Sequence, residues 1–178
     1  MAATFNFAED NGAATGSPAR GTTAGTTTTT CNWKNIDDAV ATAYTASPIT
    51  AGNNSFTKHQ YGAFSGTYNQ LSAGLWAHTS AAFGTGLTLK GVVTSTYATP
   101  AIAANAALTV DMTTAIAIGS GQTVLFSTNT SPATATPTAT TVVNPCATQY
   151  LATQLQTTGS AAAGDTTTVT LTLQYNEN

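Results

Sequence analysis

Apolar and polar residues alternate along much of this chain. In GDTTTVTLTLQYNEN, at the C-terminus, Val169, Leu171, Leu173 and Tyr175 take every second position and threonine fills most of the gaps. A period of two places such residues on one face of a β-strand. LTLKGVVTSTY has the same habit, with Leu87, Leu89, Val93 and Tyr97 on one face. QTVLFST, TQYLATQLQTT and GLWAHTS read as further strands, and ATFNFAED as a short one with Phe5 and Phe7 together. SFTKHQYGAFSGTYN is a long strand punctuated by Gly62 and Gly66, and glycine inside a strand predicts a bulge or the close approach of another backbone.

Other stretches read differently. In CNWKNIDDAV, Cys31, Trp33 and Asn35 share one strand face, with Lys34 on the other. Ile36, Val40 and Tyr44 then recur at spacing four, which predicts a short helix. Asn35 would cap it, Asp37 and Asp38 would sit in its first turn, and Pro48 would end it. The segment 100–118 mixes helix-favouring alanine with strand-like alternation, and NTSPATATPTATTVVNP reads as an extended, exposed loop. Seven or eight strands separated by turn words, with no βαβ alternation, predict an all-β fold: an antiparallel β-sandwich or jelly roll. Residues 1–30, mostly Gly, Thr and Ala, are expected to form an extended N-terminal arm, and residues 31–178 the sandwich domain.

Composition sharpens this picture. Charged residues are 6% of the 178, against about 25% in ordinary soluble proteins, while the hydrophobic fraction is 42%. That balance argues for folded β-structure with neutral, hydroxyl-lined surfaces, because disorder pairs low hydrophobicity with high net charge. The net charge is −3, and the four cations, Arg20, Lys34, Lys58 and Lys90, are spread far apart. Nucleic-acid binding is not expected from such a chain, since phosphate recognition needs clustered cations. Neither a signal-peptide pattern nor an apolar run long enough to span a membrane is visible, so synthesis and residence in the cytosol are expected. A reducing compartment favours free thiols at Cys31 and Cys146, whose spacing matches no zinc or redox motif.

Candidate chemistry is sparse. His78 and Ser80 lack the nucleophile elbow that a serine hydrolase would carry. His59 is the second histidine. Asp37 and Asp38 are adjacent and point apart, unlike the facing carboxylates of a glycosidase. Glu9-Asp10-Asn11-Gly12 lacks calcium-loop spacing and reads as a turn, with Asn11-Gly12 supplying positive φ. No catalytic residue, cofactor site or metal site is expected. Trp33, Tyr61, Trp76, Tyr97 and Tyr150 are spread along the chain as core residues are. Trp76 and Tyr61 are the pair to test for an alternative function, a carbohydrate-binding or adhesin-like module.

The chain resembles the small head-decorating β-sandwich or jelly-roll proteins of tailed-bacteriophage virions. The resemblance is one of texture. It rests on NWKNIDD after a Gly/Thr-rich arm, on ITAGNNSFTKHQYGAFSGTYNQLSAGLWAHT, on GTGLTLKGVVTSTYATP and on TQYLATQLQTTGSAAAGDTTTVTLTLQYNEN. It implies a non-enzymatic capsid decoration or cement protein, assembled in the host cytoplasm and carried on the virion. Its expected partners are the major capsid protein and copies of itself, a trimer by capsid geometry, with the arm tying neighbours together.

Overall fold

The computed structural model describes residues 3–12, 26–27, 32–37, 44–79, 83–112, 122–128, 137–143, 145–162 and 170–178. Within them lie twelve strands: β1 (Ala3–Asp10), β2 (Thr26–Thr27), β3 (Lys58–Gly66), β4 (Leu71–Thr79), β5 (Leu87–Thr94), β6 (Val110–Asp111), β7 (Gln122–Val124), β8 (Phe126–Ser127), β9 (Thr141–Val142), β10 (Cys146–Thr148), β11 (Tyr150–Thr157) and β12 (Thr170–Glu177). Every strand pairing is antiparallel. The larger sheet runs β2-β1-β3-β11-β5-β6, with β10 and β8 joined beside β3; the smaller runs β12-β4-β7, with β9 on β4. The fold is all-β, as the alternation predicts.

The two sheets enclose one apolar core. Phe64, Leu89, Leu151 and Leu155 enter from the larger sheet; Leu71, Trp76, Val124 and Leu173 enter from the smaller. The period-two pattern of the C-terminal strand is realised in β12: Leu173 is buried, Leu171 and Tyr175 are half-buried, and Thr170, Gln174 and Asn176 face water.

At Gly62 of β3 the expected bulge is found, on the partner strand, whereas the close approach is made by side chains and not by another backbone. A methyl group there would meet the Phe5 ring at 2.7 Å and Leu173 at 2.8 Å. The register between β3 and the 146–157 segment also slips by one residue here, from Ala147↔Ala63 to Leu151↔Gln60. This is a β-bulge with the extra residue on the β10–β11 side. The Thr148 hydroxyl accepts the Gly62 amide at 2.9 Å within the bulge.

One strand segment switches sheets. β7 pairs with β4 in the smaller sheet, whereas β8 pairs with β10 in the larger. Leu125 lies at the crossing, and Gln149 holds it twice: its backbone amide donates to the Leu125 carbonyl at 2.9 Å, and its side-chain oxygen accepts the Leu125 amide at 2.9 Å. The strand expected from QTVLFST is thus real and divides at Leu125.

Three expectations change. Tyr97 does not extend the β5 face. Thr94 Oγ1 accepts the Thr96 amide at 3.1 Å, a local turn that ends the strand, and Tyr97 packs on the opposite side of the sheet. Residues 32–37 form neither a strand nor a helix start, and the Asn35 amide donates to the Ser47 carbonyl at 3.0 Å. The only helical turn among the described residues is a 3-10 turn at Tyr44–Ala46; residues 38–43, which carry part of the expected helix, lie outside them. Finally, β1 pairs along its whole length with β3, from Ala3↔Gly66 to Asp10↔His59, and β2 returns to pair with β1 at Ala8 and Glu9. The first ten residues of the expected 1–30 arm therefore include a strand of the larger sheet, and Thr26–Thr27 pins the chain back onto it. The remainder of that stretch lies outside the described residues.

Candidate functional site

The chain has few groups able to do chemistry, so their placement narrows the functional reading. Alternation along β1 sends Glu9 to the core side with Phe5 and Phe7, and Asp10 to the other side with Ala8. Two separate polar clusters result.

On the core side, Lys58 Nζ donates to Glu9 Oε1 at 3.0 Å, and both side chains are 1% exposed. Gln60 Nε2 reaches Glu9 Oε2 at 3.5 Å. Lys34 is also buried, carried in by the 32–37 segment, and its charge acts on Glu9. Burial pushes the Glu9 carboxyl above the usual carboxylate range, and the attraction of Lys58 and Lys34 opposes that push. Trp33 Nε1 donates to Thr153 Oγ1 at 3.1 Å on the same side of the sheet.

On the opposite side, the Tyr150 hydroxyl donates to Asp10 Oδ2 at 2.5 Å. His59 packs edge-on against Tyr150, with ring centroids 5.8 Å apart, and tilted against Tyr97 at 4.8 Å. Tyr97 donates to the Gly12 carbonyl at 2.7 Å, and Gly12 has the positive φ, 85°, that the Asn-Gly turn predicts. Gln154 anchors the loop covering this face: its Nε2 donates to the carbonyls of Ser55, Ala101 and Ala103 at 3.0, 3.2 and 3.0 Å.

His59 is buried, its Nδ1 has no hydrogen-bond partner among the described residues, and burial lowers its pKa from 6.5 to about 4. Between those values the unfolded chain binds a proton that the folded chain does not. His59 therefore favours folding fully above pH 6.5, and that contribution is lost as pH falls through about 4, a change of about 3 kcal/mol. The raised carboxyl of Glu9 has the opposite sign, its contribution being lost as pH rises through its folded value. Urea unfolding from pH 7 to pH 4 is expected to show native stability falling relative to a His59→Phe variant, which removes the titrating ring from among Asp10, Tyr97 and Tyr150. Parallel pH profiles for the two proteins would contradict this assignment.

The residues weighed for chemistry are not brought together. Asp37 Oδ2 accepts the Gly12 amide at 2.7 Å, so it closes a loop where a helix start was expected; Asp38, Ser80 and Cys31 lie outside the described residues. His78 lies in β4 opposite Leu171. Cys146 is a buried free thiol 3.2 Å from the Tyr68 hydroxyl, and burial raises its pKa, which suppresses thiolate reactivity. Among the described residues no three His, Cys, Asp or Glu side chains converge on a point where a metal could sit. Trp76 and Tyr61 are each 2% exposed, so neither ring can stack on a sugar in this conformation.

No family model, curated protein or solved structure matches the chain.

The placement of the described charges shapes what the protein presents to its surroundings. Lys34 and Lys58, spread apart in the sequence, are both inside, as are Glu9 and Asp10. Of the described charged residues, this leaves Asp111 and Glu177 exposed on strands, and Lys90 and Asp37 half-buried. Lys90 and Asp111 pair at 3.4 Å, so even these largely neutralise each other. Thr, Ser, Asn and Gln occupy most of the other exposed strand positions among the described residues, as at Thr4, Asn6, Ser65, Gln174 and Asn176.

Proposed function

We propose that the protein is a non-enzymatic virion structural subunit of the head-decorating type found on tailed bacteriophages, binding the capsid exterior in many copies. The observation that carries this reading is the burial of half of the described charges, which leaves a surface of hydroxyls and amides. Charges at an interface must be stripped of water, and they repay that cost only when well paired. Centres of protein interfaces are depleted in charged residues for this reason. Threonine suits the task. It is β-branched and so favours strand backbone, and its hydroxyl can exchange water for a neighbour's polar group. Such a surface can be covered on several sides at low desolvation cost.

The assembly contacts would then be made by neutral strand faces. The anchoring of the N-terminal region by β1 and β2 makes the folded domain, rather than a free arm, the main contributor.

The test is co-sedimentation of the purified protein with phage heads lacking their decoration protein, at increasing salt. Saturable binding is expected, with an affinity changing less than about twofold over the range in which exposed charge pairs are screened. A steep loss of binding with salt would show that charge drives the contact and would overturn the proposal.

A further inference from the structure

β12 is the outermost strand of the smaller sheet among the described residues. Long strands at sheet edges are usually protected by lysine, proline or inward-pointing charge, because their backbone groups template pairing with another chain. β12 has little of this protection. Over Thr170–Gln174 it reads TLTLQ, with neither charge nor proline. Its one acidic residue, Glu177, lies beyond a register shift between Gln174 and Asn176, and its Oε1 accepts the Ala3 amide at 3.1 Å. That irregularity bends the far end of the strand and confines regular pairing to the TLTLQ segment.

We infer that two copies of this chain associate through their β12 edges, antiparallel, about a two-fold axis at Thr172. The segment is self-complementary in this register. Leu171 of each copy faces Leu173 of the other on the core side, and Thr172 faces Thr172 on the solvent side, so apolar meets apolar and hydroxyl meets hydroxyl. No like charges oppose one another, and such opposition is what normally penalises self-pairing at an edge. Leu171, half-buried in one chain, gains cover, and the two smaller sheets become one. A two-fold contact of this kind closes on itself. The inference rests on strand position and sequence, independently of the capsid reading.

The test is light scattering coupled to size exclusion on the full chain and on two variants, Thr172→Lys and Thr172→Glu. The native protein is expected to run as a dimer. Each variant alone is expected to run as a monomer, because like charges meet at the axis, and an equimolar mixture is expected to recover a dimer, because opposite charges then meet. A monomeric native protein at its highest soluble concentration, or variants that dimerise as the native chain does, would overturn the inference. Should the charged variants fail to fold, Thr172→Cys provides the second reading. Residues at the axis of an antiparallel pair lie close enough for a disulfide. Oxidation should give a reducible dimer that the native chain does not form, and its absence would equally overturn the inference. A monomer that still binds capsids would sink the edge pairing while leaving the decoration reading intact.

Discussion

Replacing Glu9 with alanine is expected to destabilise the protein by about 3–5 kcal/mol, because it removes one partner of a buried ion pair. The partner replacement, Lys58→Ala, is expected to cost somewhat less. The asymmetry follows from the third member of the cluster: without Glu9, the buried Lys58 and Lys34 both lose the attraction of one carboxylate, whereas without Lys58 that carboxylate keeps the attraction of Lys34. Exchanging both partners for apolar residues of similar size, Glu9→Leu with Lys58→Met, removes the charges together and is expected to recover most of the loss. Urea unfolding of the three variants at neutral pH checks the order. Single replacements costing less than about 1 kcal/mol would mean that the pair behaves as an exposed surface bridge.

Only the parity of this cluster was legible in the sequence; Glu9 and Asp10, read there as part of a turn, belong to β1. Alternation puts Phe5, Phe7 and Glu9 on one face of the first strand, so a glutamate falls in line with two phenylalanines that must be buried. The same parity puts Lys58 with Gln60, Gly62 and Phe64. Counting the lysines only as cations spread far apart missed this, because spacing along the chain says nothing about which strands become neighbours; the Glu9–Lys58 contact depends on the β1–β3 register. Lys34 is harder still. It lies in an irregular segment whose inward course is set by bonds such as Phe56 N to Lys34 O at 3.0 Å, and no periodicity reports those. The strands themselves were readable, since β-branched residues and period-two alternation agree along β5 and β12. The sheet switch at Leu125 was not. It depends on Gln149, more than twenty residues away, supplying both a donor and an acceptor to one peptide unit.

The second large effect is expected at that switch. Phe126 is 1% exposed and follows directly on Leu125, and its ring lies over Gly74 of β4. Phe126→Ala should cost about 3–5 kcal/mol through lost burial and the cavity left behind. Gly74→Ala should cost about 1–3 kcal/mol for the opposite reason: overpacking. The added methyl would meet Phe126 Cζ at 2.8 Å and Val124 Cβ at 3.1 Å. The two substitutions should not add. In the Phe126→Ala background the ring that the methyl would strike is gone and only the Val124 Cβ contact remains, so Gly74→Ala should cost less there. A double-mutant cycle by urea denaturation measures this coupling, and strict additivity would show that the ring of Phe126 does not rest on Gly74.

The wider account joins these details to one physical argument. The fold takes half of its described charges inside and holds them in buried pairs and hydrogen bonds, while the strands that face water carry hydroxyls and amides. Such an exterior gives up little hydration free energy when another protein covers it.

The most direct measurement is to separate a phage lysate containing this protein on a density gradient and quantify the chain in the particle band by mass spectrometry. The account predicts that the chain travels with intact heads at a fixed number of copies per particle, undiminished by a high-salt wash. Recovery of the chain only in the soluble fraction, with none on heads, would contradict it.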